Sequence, residues 1–144
     1  MPIRSAVVED MARLIALDHL GSVGHQGRIS QLQHGIDGGQ CLVHTEKDVI
    51  DGYVIVRPGH FFGRDFVDLL LVESAARRQG IGTALLQAAI AHLRGDQIFT
   101  STNRSNAPMQ GLLASLGWQL SGELDGLDEG DPELVYYLRR QAAG

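Results

Sequence analysis

The sequence predicts an α/β fold, with a mixed, mostly antiparallel central sheet flanked by helices. Two observations carry this. Short strand-like runs come first as a meander and later alternate with segments at helical spacing, a pattern that excludes a fully parallel sheet. The composition is also that of a packed core, since 44% of the 144 residues are apolar and 20% are charged.

The first element is the alternating strand Ile3-Arg4-Ser5-Ala6-Val7. Glu9-Asp10 follow where acidic side chains complement a helix N-terminus, and Met11, Leu14, Ile15 and Asp18 continue at helical spacing. Between Gly21 and Gly39 the glycines weaken the periodicity, and a short helix around 28–34 between loops is expected. Cys41-Leu42-Val43-His44 and Tyr53-Val54-Ile55-Val56 read as strands separated by the polar turn Glu46-Lys47-Asp48, and Pro58-Gly59 is expected to end the second. Phe66 to Val72 is a third strand, apolar except for Asp68, whose continuous hydrophobicity predicts burial on both faces.

A helix from Gly80 to about Leu93 sets Ile81, Leu85, Ala88, Ala89 and His92 on one stripe, which Leu86, Ile90 and Leu93 broaden, so it is expected to pack on the sheet. Then come a strand over 97–102 and a helix from Asn106 to Leu116, with Gly117 as its stop. The closing strands are 118–120 and 134–138. No repeat or low-complexity linker divides the chain, so residues 1–144 are expected to form a single domain.

Charge and cysteine usage narrow the function. The net charge is −5, only Lys47 among twelve basic residues is a lysine, and no basic cluster exceeds Arg77-Arg78 and Arg139-Arg140. Nucleic-acid binding is therefore not expected. The six histidines lack metal-ligand spacing, so no metal site is expected. The longest aliphatic run is Leu69-Leu70-Leu71-Val72, far short of the ~20 residues that span a bilayer, and the N-terminus lacks a signal-peptide core. A lone Cys41 in a strand-like run suits a structural role and a reducing cytoplasm.

The informative stretch is Val72-Glu73-Ser74-Ala75-Ala76-Arg77-Arg78-Gln79-Gly80-Ile81-Gly82-Thr83. Glycines lie between an apolar strand and a helix start, where unpaired amides and the helix dipole favour an anion such as a pyrophosphate. The glycines alone are equally compatible with a tight connection that uses them only for shape. Spacing excludes two motifs. A triphosphate loop needs lysine after the second glycine, and a dinucleotide fingerprint needs glycine where Leu85 stands.

The remaining pattern, Arg77-x-x-Gly80-x-Gly82 after Leu70-Leu71-Val72, resembles the coenzyme-A signature of the GNAT superfamily of N-acetyltransferases. Asn106-Ala107-Pro108-Met109 through Leu116-Gly117-Trp118 is similar to that family's second signature, and Ile3-Arg4-Ser5-Ala6 to its frequent opening. The resemblance implies a GNAT-like fold and acyl transfer from acetyl-CoA to a primary amine, small molecule or peptide, by direct attack in a ternary complex. It implies pantetheine contacts at Leu70, Val72 and Asn106, and pyrophosphate contacts over Arg77, Arg78, Gln79, Gly80, Ile81, Gly82 and Thr83.

One departure is plain. Leu113 stands where many members carry the tyrosine that protonates the departing thiolate, which keeps a non-catalytic acyl-CoA-binding or regulatory module as the alternative. Asp68 is the candidate general base, because burial of a carboxylate disfavours its charge and raises its affinity for a proton, which suits a base; an ion pair with Arg57 or Arg64 is the competing role. Tyr136 and Tyr137 are more readily packing residues than substitute acids. The acidic stretch from Glu123 to Glu133 could attract a cationic amine or simply form a solvated loop. A homodimer is compatible with the sequence, which says almost nothing about it.

Overall fold

The computed structural model describes residues 2–77 and 80–140. The elements are β1 (Ile3–Ser5), α1 (Met11–Leu17), α2 (His19–Ser22), α3 (Gln26–Asp37), β2 (Cys41–Glu46), β3 (Val49–Phe61), β4 (Arg64–Val72), α4 (Ile81–His92), β5 (Gln97–Asn103), α5 (Ala107–Ser115), β6 (Gln119–Leu124) and β7 (Glu133–Arg139). Seven strands form one sheet in the order β1-β2-β3-β4-β5-β7-β6. β4 and β5 pair in parallel, whereas the β1–β2, β2–β3, β5–β7 and β6–β7 ladders are antiparallel. Contacts group the chain into two compact units, Met1–Val56 with Leu69–His92, and Arg57–Asp68 with Leu93–Gly144.

In the first unit, Leu14, Leu32, Val43, Tyr53 and Ile55 form the centre of an apolar cluster, with Leu69 and Leu71 packed against it. β2 and β3 meet at the two-residue turn Lys47-Asp48, whose φ values of 51° and 65° match the twist of a hairpin. On Gly52 a Cβ would lie 3.0 Å from Leu85 Cδ1 and 3.1 Å from the Leu71 carbonyl oxygen, so the missing side chain is what lets α4 approach β3.

The helical region differs from expectation. α3 is a full helix over Gln26–Asp37, capped by His25 Nδ1, which accepts from Arg28 N at 3.1 Å. Gly35, which lowers helical propensity, faces the sheet instead; its missing Cβ would lie 3.3 Å from Ile55 Cγ2. The stripe of α4 also shifts, because Ala84 is buried while His92 is exposed.

In the second unit, β3 does not end at Pro58-Gly59 but runs on to Phe61. Gly59 sits at φ +66°, and its N–H donates to Asp65 Oδ1 at 2.9 Å, so the interruption is accommodated as a local irregularity. Phe62-Gly63 then turns the chain with φ values of 50° and 79°. β4 consequently begins at Arg64, and it is not buried on both faces. Asp65 and Val67 are buried, whereas Phe66 and residues 68–72 are half-buried. β5 alternates strictly, with Ile98, Thr100 and Thr102 buried and the intervening residues half-buried. Among the described residues, no helix is long and apolar enough to cross a membrane.

Candidate functional site

The strand-to-helix connection belongs wholly to the first unit and collects Leu70, Val72, Arg77, Gly80, Ile81, Gly82 and Thr83. After β4, Glu73 N donates to the Asp51 carbonyl at 2.8 Å, a 3-10 turn covers Ser74–Ala76, and Arg77 Nε donates back to the Val72 carbonyl at 3.3 Å. Arg78 and Gln79 lie outside the described residues. Gly80 adopts φ +78° with nothing within 4 Å of where a Cβ would stand. The first turn of α4 is closed by Ala84 N donating to the Gly80 carbonyl at 3.0 Å. The amides of Ile81, Gly82 and Thr83 therefore precede the helical ladder, at the end where the helix dipole is positive. Such an end can receive an anion.

A buttress that the sequence did not disclose lies beneath this turn. Arg13 donates to the Ile50 carbonyl from Nε at 3.1 Å and from Nη2 at 2.9 Å, and Nη2 lies 3.4 Å from Glu73 Oε2. Next to Ile50, the buried Asp51 carboxylate meets the buried His44 Nδ1 at 2.7 Å. The only sequence signal was a carboxylate placed between Ile50 and Gly52 in a strand.

The other candidates lie in the second unit. Asp68 is half-buried rather than buried, and its Oδ2 lies 3.2 Å from Arg57 Nε. The ion-pair role that competed with catalysis is thus present. Asp68 is also not the one carboxylate of its strand, because the earlier start of β4 takes in Asp65. That residue is 7% exposed and accepts from Gly59 N at 2.9 Å and Gly95 N at 2.7 Å.

Asn106 is the N-cap of α5, and its Oδ1 accepts from Met109 N at 3.2 Å. Leu113 is fully buried, and its carbonyl accepts from Trp118 N at 3.0 Å, just beyond Gly117 at φ +87°. Tyr136 is buried, and the Tyr137 hydroxyl donates to Gln119 Oε1 at 2.6 Å. In the acidic connection, Asp128 accepts from Asn103 Nδ2 at 2.8 Å and Asp131 accepts from Ser105 N at 3.0 Å, so part of its charge shapes the loop. Cys41 is 1% exposed, and burial with the charge of Asp10 pushes its thiol up to about 12, which removes it as a nucleophile at neutral pH.

The sequence profile of the acetyltransferase (GNAT) family matches residues 8–118. No curated protein gives a match. Among solved structures, a GNAT-family acetyltransferase of Bacillus cereus ATCC 10987 is 32% identical, covers 96% of each chain and superposes with a TM-score of 0.86. Two further structures are alike in fold alone. The yncA protein of Salmonella typhimurium, solved with its cofactor acetyl-CoA, is 20% identical over 99% of this chain and 96% of its own, with a TM-score of 0.76. Naa50 of Arabidopsis thaliana, in complex with the bisubstrate analogue CoA-Ac-MVNAL, is 16% identical over 96% and 97%, with a TM-score of 0.76.

Proposed function

The chain belongs to the GNAT acetyltransferase family, and from that premise we propose that it transfers an acetyl group from acetyl-CoA to a primary amine by direct attack in a ternary complex. The observation that carries this reading is the open turn at Gly80 leading into the unladdered amides of Ile81, Gly82 and Thr83. In the proposal these amides, with those of Arg77, Arg78 and Gln79, hold the pyrophosphate. Leu70 and Val72 hold the pantetheine arm through their backbone. Because Asn106 Oδ1 caps α5, its contact with that arm comes from the amide N–H. The family profile draws on residues of both compact units, which supports one N-acetyltransferase domain over 1–144.

The reaction forms a C–N bond, breaks the C–S bond and leaves the electron pair on sulfur, while the nitrogen loses a proton. An alkyl amine of pKa about 10.4 is mostly protonated at pH 7, so exposing its lone pair costs roughly 4–5 kcal/mol; an α-amine near pKa 8 costs about 1 kcal/mol. Asp68 is our candidate to accept that proton, directly or through water, with Arg57 fixing its carboxylate. Acetyl-CoA supplies the activated acyl group. A CoA thiolate can depart without full protonation, so a buried leucine at 113 does not forbid turnover.

Calorimetric titration with acetyl-CoA, followed by thiol release over a panel of small amines and peptides, tests the reading. Binding with turnover supports it. Gly80→Val, which forces a β-branched residue to a positive φ, should weaken binding by about tenfold or more. The buried Leu113 favours one alternative, a non-catalytic acyl-CoA-binding module, and binding without thiol release on any amine would establish that instead.

A further inference from the structure

Taking the amine acylation of the preceding section as premise, we propose that the second unit carries a groove for the acceptor, and that it takes a primary amine with an aryl group on a short alkyl spacer. All the residues concerned belong to that unit. Directly paired residues share a sheet face, as do residues two apart on one strand. One face, with Ile98, Thr100, Thr102, Leu134 and Tyr136, is buried. The other face carries the groove.

Its wall is a bulky row in which Phe66 pairs with Phe99, Phe99 with Tyr137, and Tyr137 with Gln119. The rings form a ribbon, with Phe99 5.9 Å from Tyr137 and Phe61 5.0 Å from both Phe66 and Phe99. The next row on the face is low. Ser101 pairs with Val135, and Val135 with Gly122, where a Cβ would meet nothing within 4 Å. The relief then rises again at Asn103 and Glu133, which pair with each other. Val135 is only 9% exposed, as befits a floor residue with Tyr137 and Glu133 standing on either side along its strand. Asp68 closes one end of this trough. It follows Phe66 by two residues on β4, as Ser101 follows Phe99 on β5, and Arg57 Nε holds its Oδ2 at 3.2 Å.

An acceptor nitrogen at Asp68 lays the rest of the molecule along the floor. Ser101 and Val135 then lie about 5 and 10 Å away, one and two strand spacings. A ring on a spacer of about two to four carbons sits about 5–8 Å from its nitrogen. It therefore rests over Ser101 and Val135, beside the rings of Phe99 and Tyr137, where aromatic contacts are favourable. The charges agree with this orientation. The carboxylates of Asp68 and Glu133 border the trough, whereas Arg64 and Arg139 lie beyond the ring row beside Gln97, which takes a hydrogen bond from Arg64 Nε at 3.4 Å. A small polar amine would leave the aromatic wall in water.

NMR titration of the full chain with amines, in the absence of acetyl-CoA, reads the groove apart from catalysis. 3-Phenylpropylamine should bind about tenfold or more tighter than propylamine, and also tighter than 3-phenylpropanol, which keeps the ring and lacks the ammonium. Phe99→Leu retains an apolar side chain and should cut the advantage of the aryl amine over propylamine to about threefold or less. Ser101→Phe, which fills the floor from a half-exposed position, should abolish that advantage in a chain still folded by circular dichroism. No ring preference in the wild type, an alcohol that binds as tightly as the amine, or folded variants that keep the full preference would each overturn the groove. Acetyl-CoA titration and thiol release report separately on the transfer itself. Turnover that ignores the aryl group would overturn the groove and leave the transferase reading standing. A chain that binds no acetyl-CoA would overturn that reading, and the amine titration would still decide the groove.

Discussion

Asp65 and Asp68 lie three residues apart on one strand and have opposite fates, decided by what reaches each carboxylate. Asp65 satisfies two backbone amides, Gly59 N and Gly95 N, so Asp65→Ala would leave both donors without their acceptor. A loss of about 2–4 kcal/mol in urea unfolding is expected, and Asp65→Asn should recover part of it by keeping one acceptor. Asp68 sits with Arg57 at 3.2 Å. If it takes the amine's proton, Asp68→Asn should lower kcat about 10²-fold or more and remove the acidic limb of the pH–rate profile; an unchanged profile leaves it only its ion pair. A third carboxylate contributes to acid stability. The Arg4 guanidinium binds Asp10 through both oxygens, at 2.8 and 3.0 Å, and holds its carboxyl below the usual range. The folded value lies below the unfolded one near ~3.9, so this contribution is present above about pH 4 and is lost as pH falls through the folded value. Because Arg4 is half-exposed, Asp10→Asn should cost only about 1 kcal/mol at pH 7 and flatten the acid limb of the stability curve. The sequence singled out Asp68 because its strand was started two residues late, at Phe66. Chain order shows a carboxylate inside an apolar run, but not that Gly59 of β3 and Gly95 of the α4–β5 connection would supply amides to the one before it.

At the scale of elements, periodicity and turn chemistry located nearly every strand and helix, and two of the errors share one cause. Pro58-Gly59 and the glycines between 21 and 39 were read as breaks, yet tertiary partners absorb them. Gly59 donates to Asp65, and Gly35 presses α3 against Ile55 and Cys41. The end of α5 was legible because its signals are local: Asn106 caps the start and Gly117 takes the positive φ at the stop. α4 depends on a contact that no local pattern shows. A methyl at Gly52 would come within 3.2 Å of Ile81 Cγ2, Leu85 Cδ1 and the Leu71 carbonyl oxygen at once. Gly52→Ala should therefore cost about 1–3 kcal/mol by overpacking. Ile81 carries one of the amides assigned to the pyrophosphate, so the same variant should weaken acetyl-CoA binding, measured by titration at a temperature where it is still folded. A purely structural role for the α4 contact would lower stability and leave affinity unchanged.

For the whole molecule, fold and cofactor binding can be separated because a ligand that binds only the native state stabilises it by mass action. Acetyl-CoA at 100 times its Kd should add about 2.7 kcal/mol to unfolding, roughly 5–10 °C in Tm for a chain of this size. Asn106 is the position at which the two effects meet, since its side-chain oxygen caps α5 while our proposal assigns its amide N–H to the pantetheine arm. Asn106→Ala removes both and should lower Tm even without cofactor, through about 1 kcal/mol of lost cap. Asn106→Asp keeps a side-chain oxygen for Met109 N and removes only the amide donor. Without acetyl-CoA its Tm should match wild type. At a cofactor concentration that gives wild type its full increment, a tenfold weaker Kd would leave about 1.4 kcal/mol, half the shift. Equal increments in the two proteins would confine Asn106 to capping, whereas a loss of apo Tm in Asn106→Asp would mean that the amide, and not the oxygen, supports the helix.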